Sequence, residues 1–175
     1  LITSDSNQLS PVPKLDSRSL LQQVDGMQVL WLRTFKYSVA KSWRRIWSWV
    51  DFEYQLLRAP LSELPRPDVI VVSSLSLLTV LSGVLLRKRF EARLVFEVRD
   101  IWPLTLVEEG GFGRKNPFVL LLGMIERYGY RIADAVVGTM PNLGEHVRKV
   151  LGRPRNVHCI PMGLDEDAYS RPEPL

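Results

Sequence analysis

Hydrophobic and polar positions along the chain alternate between short apolar runs and longer segments with helical periodicity. Four of the apolar runs have the length and composition of buried strands, namely PDVIVVSS, RLVFEV, ADAVVGT and NVHCIPMG. Helical segments separate these runs, at SLLTVLSGVLLRKRF, NPFVLLLGMIERYGYRI and NLGEHVRKVLG. Because strands that alternate with helices form right-handed βαβ units, the pattern predicts an α/β domain with a doubly wound parallel sheet and flanking helices.

The N-terminal part of the chain has a different pattern. Residues Ser19 to Thr34 predict two short strands joined by Asp25-Gly26, a dipeptide typical of tight hairpin turns. We therefore expect a small β-hairpin in addition to the main sheet. The opening LITSDSN resembles the end of a buried strand followed by a polar loop, so the first element of the fold is expected to be missing.

The helical segment 38–64 carries two apolar faces. The main stripe, which we expect to pack on the sheet, comprises Trp43, Ile46, Trp47, Val50, Tyr54 and Leu57. A second apolar patch lies off this stripe, at Trp49, Phe52 and Leu56. One hypothesis is an interfacial helix that contacts anionic lipids through Arg44, Arg45, Trp49 and Phe52. The alternative is that another part of a larger protein covers the patch.

Composition and charge narrow the function classes. The 175 residues have a net charge of +4, and residues 36–93 alone hold ten Lys/Arg against five Asp/Glu, a balance of +5. Such a regional excess favours an anionic surface or a phosphate-bearing ligand. One cysteine excludes an internal disulfide, and the two histidines have no partners at metal-ligand spacing, so no metal is expected.

The same features define the expected location and partners. No apolar run reaches the roughly 18 residues of a membrane span, and no nucleic-acid-binding motif is recognisable. The single cysteine fits a reducing compartment. We expect a cytoplasmic protein, peripheral to the inner face of the cytoplasmic membrane if the interfacial helix is correct.

Ligands of parallel α/β sheets bind outside the carboxyl ends of the strands. The polar residues at two predicted strand ends are Ser73, Ser74, Arg99 and Asp100. Arg99 offers a fork of donors and Asp100 an acceptor, a combination that suits sugar hydroxyls or phosphate. Glu97 lies on the same side as Arg99, where it can orient or neutralise it. Asp100 has an alternative role as a cap of the turn at 101–103, and the sequence leaves both roles open.

The loops beyond these strand ends supply further candidate substrate-binding residues. Segment 107–113 holds three glycines, whose backbone N–H groups can surround an anion, although a flexible loop is the plainer alternative. Neither a Walker loop nor a G-x-G-x-x-G motif is present. At the start of another predicted helix, Asn142 and Glu145 imitate a capping box. The candidates in these loops are Trp102, Glu108, Gly110, Gly111 and Asn142.

Three segments, FEVRDIWPLTLVEEGG, NPFVLLLGMIERYGYRIADAVVGTMPN and IPMGLD, resemble the N-terminal half of glycosyltransferase family 4. The similarity runs from Leu1 to the hinge-like IPMGLD and is closest to bacterial enzymes of surface-polysaccharide assembly, such as O-antigen and capsule. It implies one Rossmann-like half of a GT-B fold, in which two domains face each other across a cleft. It also implies retaining transfer from a nucleotide-sugar donor, with no cofactor and no required metal.

The resemblance implies a division of labour between the two GT-B domains. Residues 1–164 correspond to the N-terminal domain, without its first strand, and would receive a sugar or lipid-linked sugar acceptor. Residues 165–175 correspond to a linker toward a C-terminal domain that holds the donor through an E-x7-E pattern. By resemblance Asp100 and Arg99 would be the catalytic residues, and no transfer is expected from this half alone.

Two positions depart from the family pattern. Arg99 stands where many members have His, so a proton shuttle near neutral pH is not expected there. Met162 replaces the Asn of the usual I-P-N-G hinge. Two other interpretations remain open: half of a GT-B nucleotide-sugar 2-epimerase, and a non-catalytic, membrane-associated binding domain.

Overall fold

The computed structural model describes residues 1–6, 12–36, 43–108, 111–161 and 163. The strands are β1 (Ile2–Ser4), β2 (Ser19–Val24), β3 (Met27–Leu32), β4 (Val69–Ser73), β5 (Arg93–Val98), β6 (Ala135–Gly138) and β7 (Val157–Cys159). The helices are α1 (Trp43–Arg58), α2 (Thr79–Phe90), α3 (Leu104–Glu108), α4 (Pro117–Ile132) and α5 (Leu143–Leu151), with a 3-10 turn at Leu61–Glu63.

The strands form two sheets. The larger one is parallel throughout and has the order β4-β5-β6-β7, whereas the smaller one is mixed and has the order β1-β3-β2. This arrangement confirms the predicted class, a Rossmann-like α/β fold with flanking helices that is consistent with one half of a GT-B protein. The hairpin is also confirmed, because β2 and β3 pair across Asp25 and Gly26, which both have the positive φ of a tight hairpin turn.

Two helices pack closely on one face of the parallel sheet because each has a glycine at the contact. A Cβ added to Gly83 of α2 would lie 2.4 Å from the Val72 side chain, and one added to Gly129 of α4 would lie 3.0 Å from the Phe96 ring. Along β5, Leu94, Phe96 and Val98 alternate with more exposed residues, as expected for a strand with one buried face. The main core therefore lies between the sheet and these helices.

The prediction for the two faces of α1 is wrong. Trp49 packs against the main core, while Phe52 and Leu56 join a second cluster that includes Leu30 of β3 and Leu86 of α2. The stripe that was expected to pack on the sheet is instead exposed, at Ile46, Trp47, Val50, Tyr54 and Leu57. Periodicity favoured the larger stripe, but the smaller patch is the one that packs on both core clusters.

Two helix ends are formed by residues typical of those positions, whereas the predicted capping box is not formed. The Asn116 side chain accepts a hydrogen bond from the Phe118 backbone N at 2.9 Å and caps α4. Gly152 ends α5 in the left-handed conformation, with φ of 72°. The capping box at Asn142 and Glu145 is not formed, because Asn142 has φ −90° and ψ 8° and its side chain makes no cap hydrogen bond.

Candidate functional site

The predicted strand ends meet at one edge of the parallel sheet. Ser73 of β4 is in register with Glu97 of β5, which is in register with Val137 of β6. Since these strands are parallel, their carboxyl ends open on the same side, and the chain leaves them at Ser74, Arg99 and Thr139. The structure thus brings together the candidates of the first two strand ends.

Ser74 fastens the end of β4 to the end of β5. Its hydroxyl oxygen accepts hydrogen bonds from the backbone N of Arg99 at 2.8 Å and of Asp100 at 3.3 Å. Its own backbone N donates to the Glu97 carbonyl at 2.9 Å. Ser74 is completely buried, so its side chain positions the loop and has no surface for the direct substrate contact that was predicted for it.

Trp102 also helps to hold the loop that follows β4. Its indole N–H donates to the Ser74 carbonyl at 2.8 Å, and its ring packs edge-to-face on Trp49 with a centroid distance of 5.7 Å. A cis peptide bond joins it to Pro103. Because Trp102 is buried, it too replaces the predicted substrate contact with a positioning role.

Arg99 and Asp100 are exposed charged residues at this edge of the sheet. Both residues are exposed, and among the described residues no ion pair joins them. The turn after β5 is closed by the backbone, since the Trp102 N donates to the Asp100 carbonyl at 3.1 Å. The turn is thus held by this backbone bond and by the Ser74 hydroxyl, which take the capping role considered for the Asp100 side chain. Two consecutive exposed residues, one with a guanidinium and one with a carboxylate, thus follow β5 on a backbone that Ser74 fixes.

Ser73 and Glu97 lie next to each other below this rim. They are cross-strand neighbours and both are half-buried. Within the described part of the chain, the Ser73 hydroxyl is buried and has no hydrogen-bond partner. An unsatisfied hydroxyl beside a carboxylate is a polar pair that a ligand could complete.

The remaining candidates lie in loops and at helix ends rather than at the ends of β4 and β5. Glu108 is exposed at the end of α3, and Gly111 is exposed with φ of 69°. Asn142 is exposed where α5 begins, with a carbonyl that accepts from Glu145 N at 3.1 Å. Gly110 lies outside the described residues, so the predicted anion-binding turn is not defined.

The four predicted membrane contacts do not share one surface. Arg44 is exposed, whereas Trp49 and Phe52 point toward the two core clusters. The side chain of Arg45 lies outside the described part of the structure. Trp49 and Phe52 are partly buried, and their packing against these clusters disagrees with the lipid contact predicted for them.

A buried polar cluster was missed by the sequence analysis. Glu126 of α4 is buried, and its carboxylate accepts from the Tyr130 hydroxyl at 3.1 Å and contacts His146 Nε2 at 2.9 Å. Burial and the neighbouring carboxylate raise the pKa of Tyr130, which stays a donor. His146, expected at the surface, is half-buried and ties α5 to α4. The available signal was a lone glutamate on the buried face of an apolar helix.

A second missed cluster lies at the ends of β1 and β3. Asp5 is buried, its carboxylate accepts from the Thr34 backbone N at 2.9 Å and it pairs with Lys36 Nζ at 2.6 Å. Ser4 and Thr34 also share a hydrogen bond of 2.6 Å between their hydroxyls. These contacts fix the loops that leave the smaller sheet. Only the Ser-Asp pair after β1 hinted at them in the sequence.

The described residues hold neither a metal-binding cluster nor a membrane-spanning helix. No group of three or more His, Cys, Asp or Glu in them is placed to hold a metal ion. Nor does any helix within the described ranges have both the length and the hydrophobicity needed to cross a bilayer.

Comparison with known proteins gives one family. No curated protein matches the sequence. The Glycosyl transferase 4-like domain matches residues 9–163, which include both strand ends of the candidate site and α1 between the two sheets. Together with the Rossmann-like sheet and the exposed polar rim at its carboxyl edge, this match shows that the chain belongs to the family of glycosyl transferase 4-like domains.

Proposed function

We propose that this domain is the acceptor-binding half of a retaining, nucleotide-sugar-dependent glycosyltransferase of polysaccharide or glycolipid assembly. The observation that carries the proposal is the exposed Arg99–Asp100 pair at the carboxyl end of β5, held by the buried Ser74. The family match supports sugar donors and acceptors as the general substrate class.

The residues at the rim supply orientation and charge. The Asp100 carboxylate accepts hydrogen bonds from hydroxyl groups of a sugar, and the Arg99 guanidinium donates to sugar or phosphate oxygens. Because Arg99 does not exchange a proton near neutral pH, its contribution is electrostatic and positional. Ser73 and Glu97 provide a second pair of half-buried polar residues next to this rim.

The donor is held elsewhere in the proposed enzyme. In GT-B enzymes a second domain binds the nucleotide-sugar, and closure of the cleft aligns the reacting atoms and excludes water. The 175-residue chain alone is accordingly expected to bind an acceptor without turnover. A lipid-linked sugar with a pyrophosphate suits the regional positive charge of residues 36–93.

A transfer screen tests the proposal. The full-length protein would be incubated with a panel of nucleotide-sugars, with and without lipid-linked sugar acceptors, and products would be identified by mass spectrometry. Glycosylated acceptor is the expected product. An epimerised nucleotide-sugar formed without acceptor would favour the 2-epimerase, and no reaction with any donor would favour a non-catalytic domain.

A further inference from the structure

The side of α1 that points away from the core carries a row of large apolar residues. Their exposed fractions lie between 37% and 57%, and they are Ile46, Trp47, Val50, Tyr54 and Leu57. Spacings of three and four residues keep them on one side of the helix. We call this row the outer face of α1. The opposite side packs α1 onto both core clusters, so the outer face is left for another contact.

Arginines flank the outer face and lie on aromatic rings. The Arg44 guanidinium is 5.3 Å from the centre of the Phe35 ring, and that of Arg58 is 5.1 Å from the centre of the Tyr54 ring. The nearby acid, Asp51, accepts a hydrogen bond from the Phe35 backbone N at 2.7 Å. Aromatic rings and positive charge therefore occur together on this side of the molecule.

A small cavity opens where α1 ends. Its volume is about 120 Å³, and its lining comprises Arg18, Ser19, Leu32, Gln55, Arg58, Ala59 and Pro60. The donors in this lining are two guanidinium groups, a hydroxyl and an amide. Guanidinium forks and hydroxyl groups are the chemistry that proteins use to bind phosphate oxygens.

We propose that the outer face of α1 docks on an anionic membrane surface. The apolar row enters the boundary between headgroups and acyl chains, with Trp47 and Tyr54 at the level where aromatic side chains are enriched. Arg18, Arg44 and Arg58 meet the lipid phosphates, and the balance of +5 over residues 36–93 adds long-range attraction. This charge pattern favours a lipid surface over a protein partner.

The docking surface lies on the other side of the same helix from the candidate site. Trp49 on the inner side of α1 contacts Trp102, which holds the Ser74 carbonyl at the rim. Docking through α1 would thus bring to the membrane the helix that supports the rim, and a lipid-linked acceptor resides in that membrane. This step deepens the proposed function and rests on it for the acceptor, but vesicle binding needs no sugar transfer, so the two can fail separately.

Vesicle flotation with the 175-residue chain tests the docking. We expect retention on vesicles of phosphatidylcholine with phosphatidylglycerol at low salt, and loss of retention as salt screens the charges. W47E/V50E should lower the bound fraction at least about tenfold, because charge on the apolar row opposes its burial. R44E/R58E should lower it on anionic vesicles. The matched control is L121E/M124E on α4, where the two side chains are 47% and 62% exposed, and it should bind like wild type.

A second readout does not depend on how these variants fold. Brominated lipids in the anionic vesicles should quench the tryptophan fluorescence of the wild-type chain, and W47F should remove most of that quenching. Equal retention on pure phosphatidylcholine, equal loss in the α4 control, or no quenching of Trp47 would overturn the proposal. So would a dimer in light scattering that W47E/V50E converts to a monomer, because a second copy would then occupy the face.

Discussion

Ser73 and Ser74 are neighbours in sequence, yet their hydroxyls have opposite environments. The Ser74 oxygen accepts from two backbone N–H groups and is completely buried. The Ser73 oxygen is buried without a hydrogen-bond partner among the described residues. The first hydroxyl joins two strand ends, whereas the second makes no hydrogen bond with the described residues.

Substitution of each serine by alanine should change the free energy of unfolding by different amounts. S74A should lower the free energy of unfolding by about 1–3 kcal/mol, because it leaves buried N–H groups without acceptors. S73A should change it by less than about 0.5 kcal/mol, since no hydrogen bond is lost. Urea denaturation of both variants measures the difference. Equal stabilities would show that Ser74 does not fasten the two strand ends.

Gly138 is required by its close neighbours at the end of β6. A Cβ at this position would lie 2.6 Å from Leu143 Cδ2 and 2.7 Å from the Val98 carbonyl oxygen. G138A should therefore destabilise the protein by about 1–3 kcal/mol through overpacking of β6 against α5. G113A is the control, because nothing lies within 4 Å of its added Cβ. Thermal unfolding of the two variants checks this, and similar melting temperatures would contradict the tight contact.

At the scale of elements, α1 and α2 meet through a buried acid. The Ser82 hydroxyl donates to one carboxylate oxygen of Glu53, and the other oxygen is buried without a partner among the described residues. Burial raises the pKa of Glu53 from 4.5 to about 7, and the hydrogen bond from Ser82 offsets part of the increase. The contact between the helices is therefore most favourable when Glu53 is protonated.

This raised pKa gives a pH dependence of stability. As pH rises from about 4.5 to 7, the unfolded Glu53 loses its proton while the folded one keeps it, so the free energy of unfolding falls. The fall is no more than about 3 kcal/mol and ends above pH 7. Urea denaturation between pH 4 and 8 should show it, and E53Q should remove it. E145Q, at an exposed acid, should leave the slope unchanged. The same slope in E53Q would refute the assignment.

Elements were predictable wherever the local sequence decides the structure. Short apolar runs predicted the strands of the parallel sheet, and Asp25-Gly26 predicted the hairpin turn. The buried face of α1 was not predictable, because it includes Trp49. This residue packs on Trp102, which is distant from it in sequence.

The candidate site was predictable only in its outline. The rule for parallel sheets located Arg99 and Asp100 at a strand end, and both are exposed there. The rule could not show that Ser74 and Trp102 are buried, because their burial depends on how neighbouring strands and α1 come together. Glu126 and His146 were missed since two helices, distant in sequence, form their contact.

At the scale of the whole molecule, the proposed site lies at the carboxyl edge of the parallel sheet. The opposite end of the same strands provides matched controls, because Arg93 begins β5 and Asp68 immediately precedes β4, and both are exposed. Charge removed at that end should have no effect on transfer, whereas charge removed at the carboxyl end should abolish it.

The most direct test is the rate of sugar transfer by the full-length protein carrying R99A, D100A, R93A or D68A. We predict that R99A and D100A lower kcat about 100-fold or more at unchanged melting temperature, as for other losses of electrostatic stabilisation, while R93A and D68A transfer at the wild-type rate. Wild-type turnover by both R99A and D100A, with normal melting temperatures, would contradict the assignment of the site.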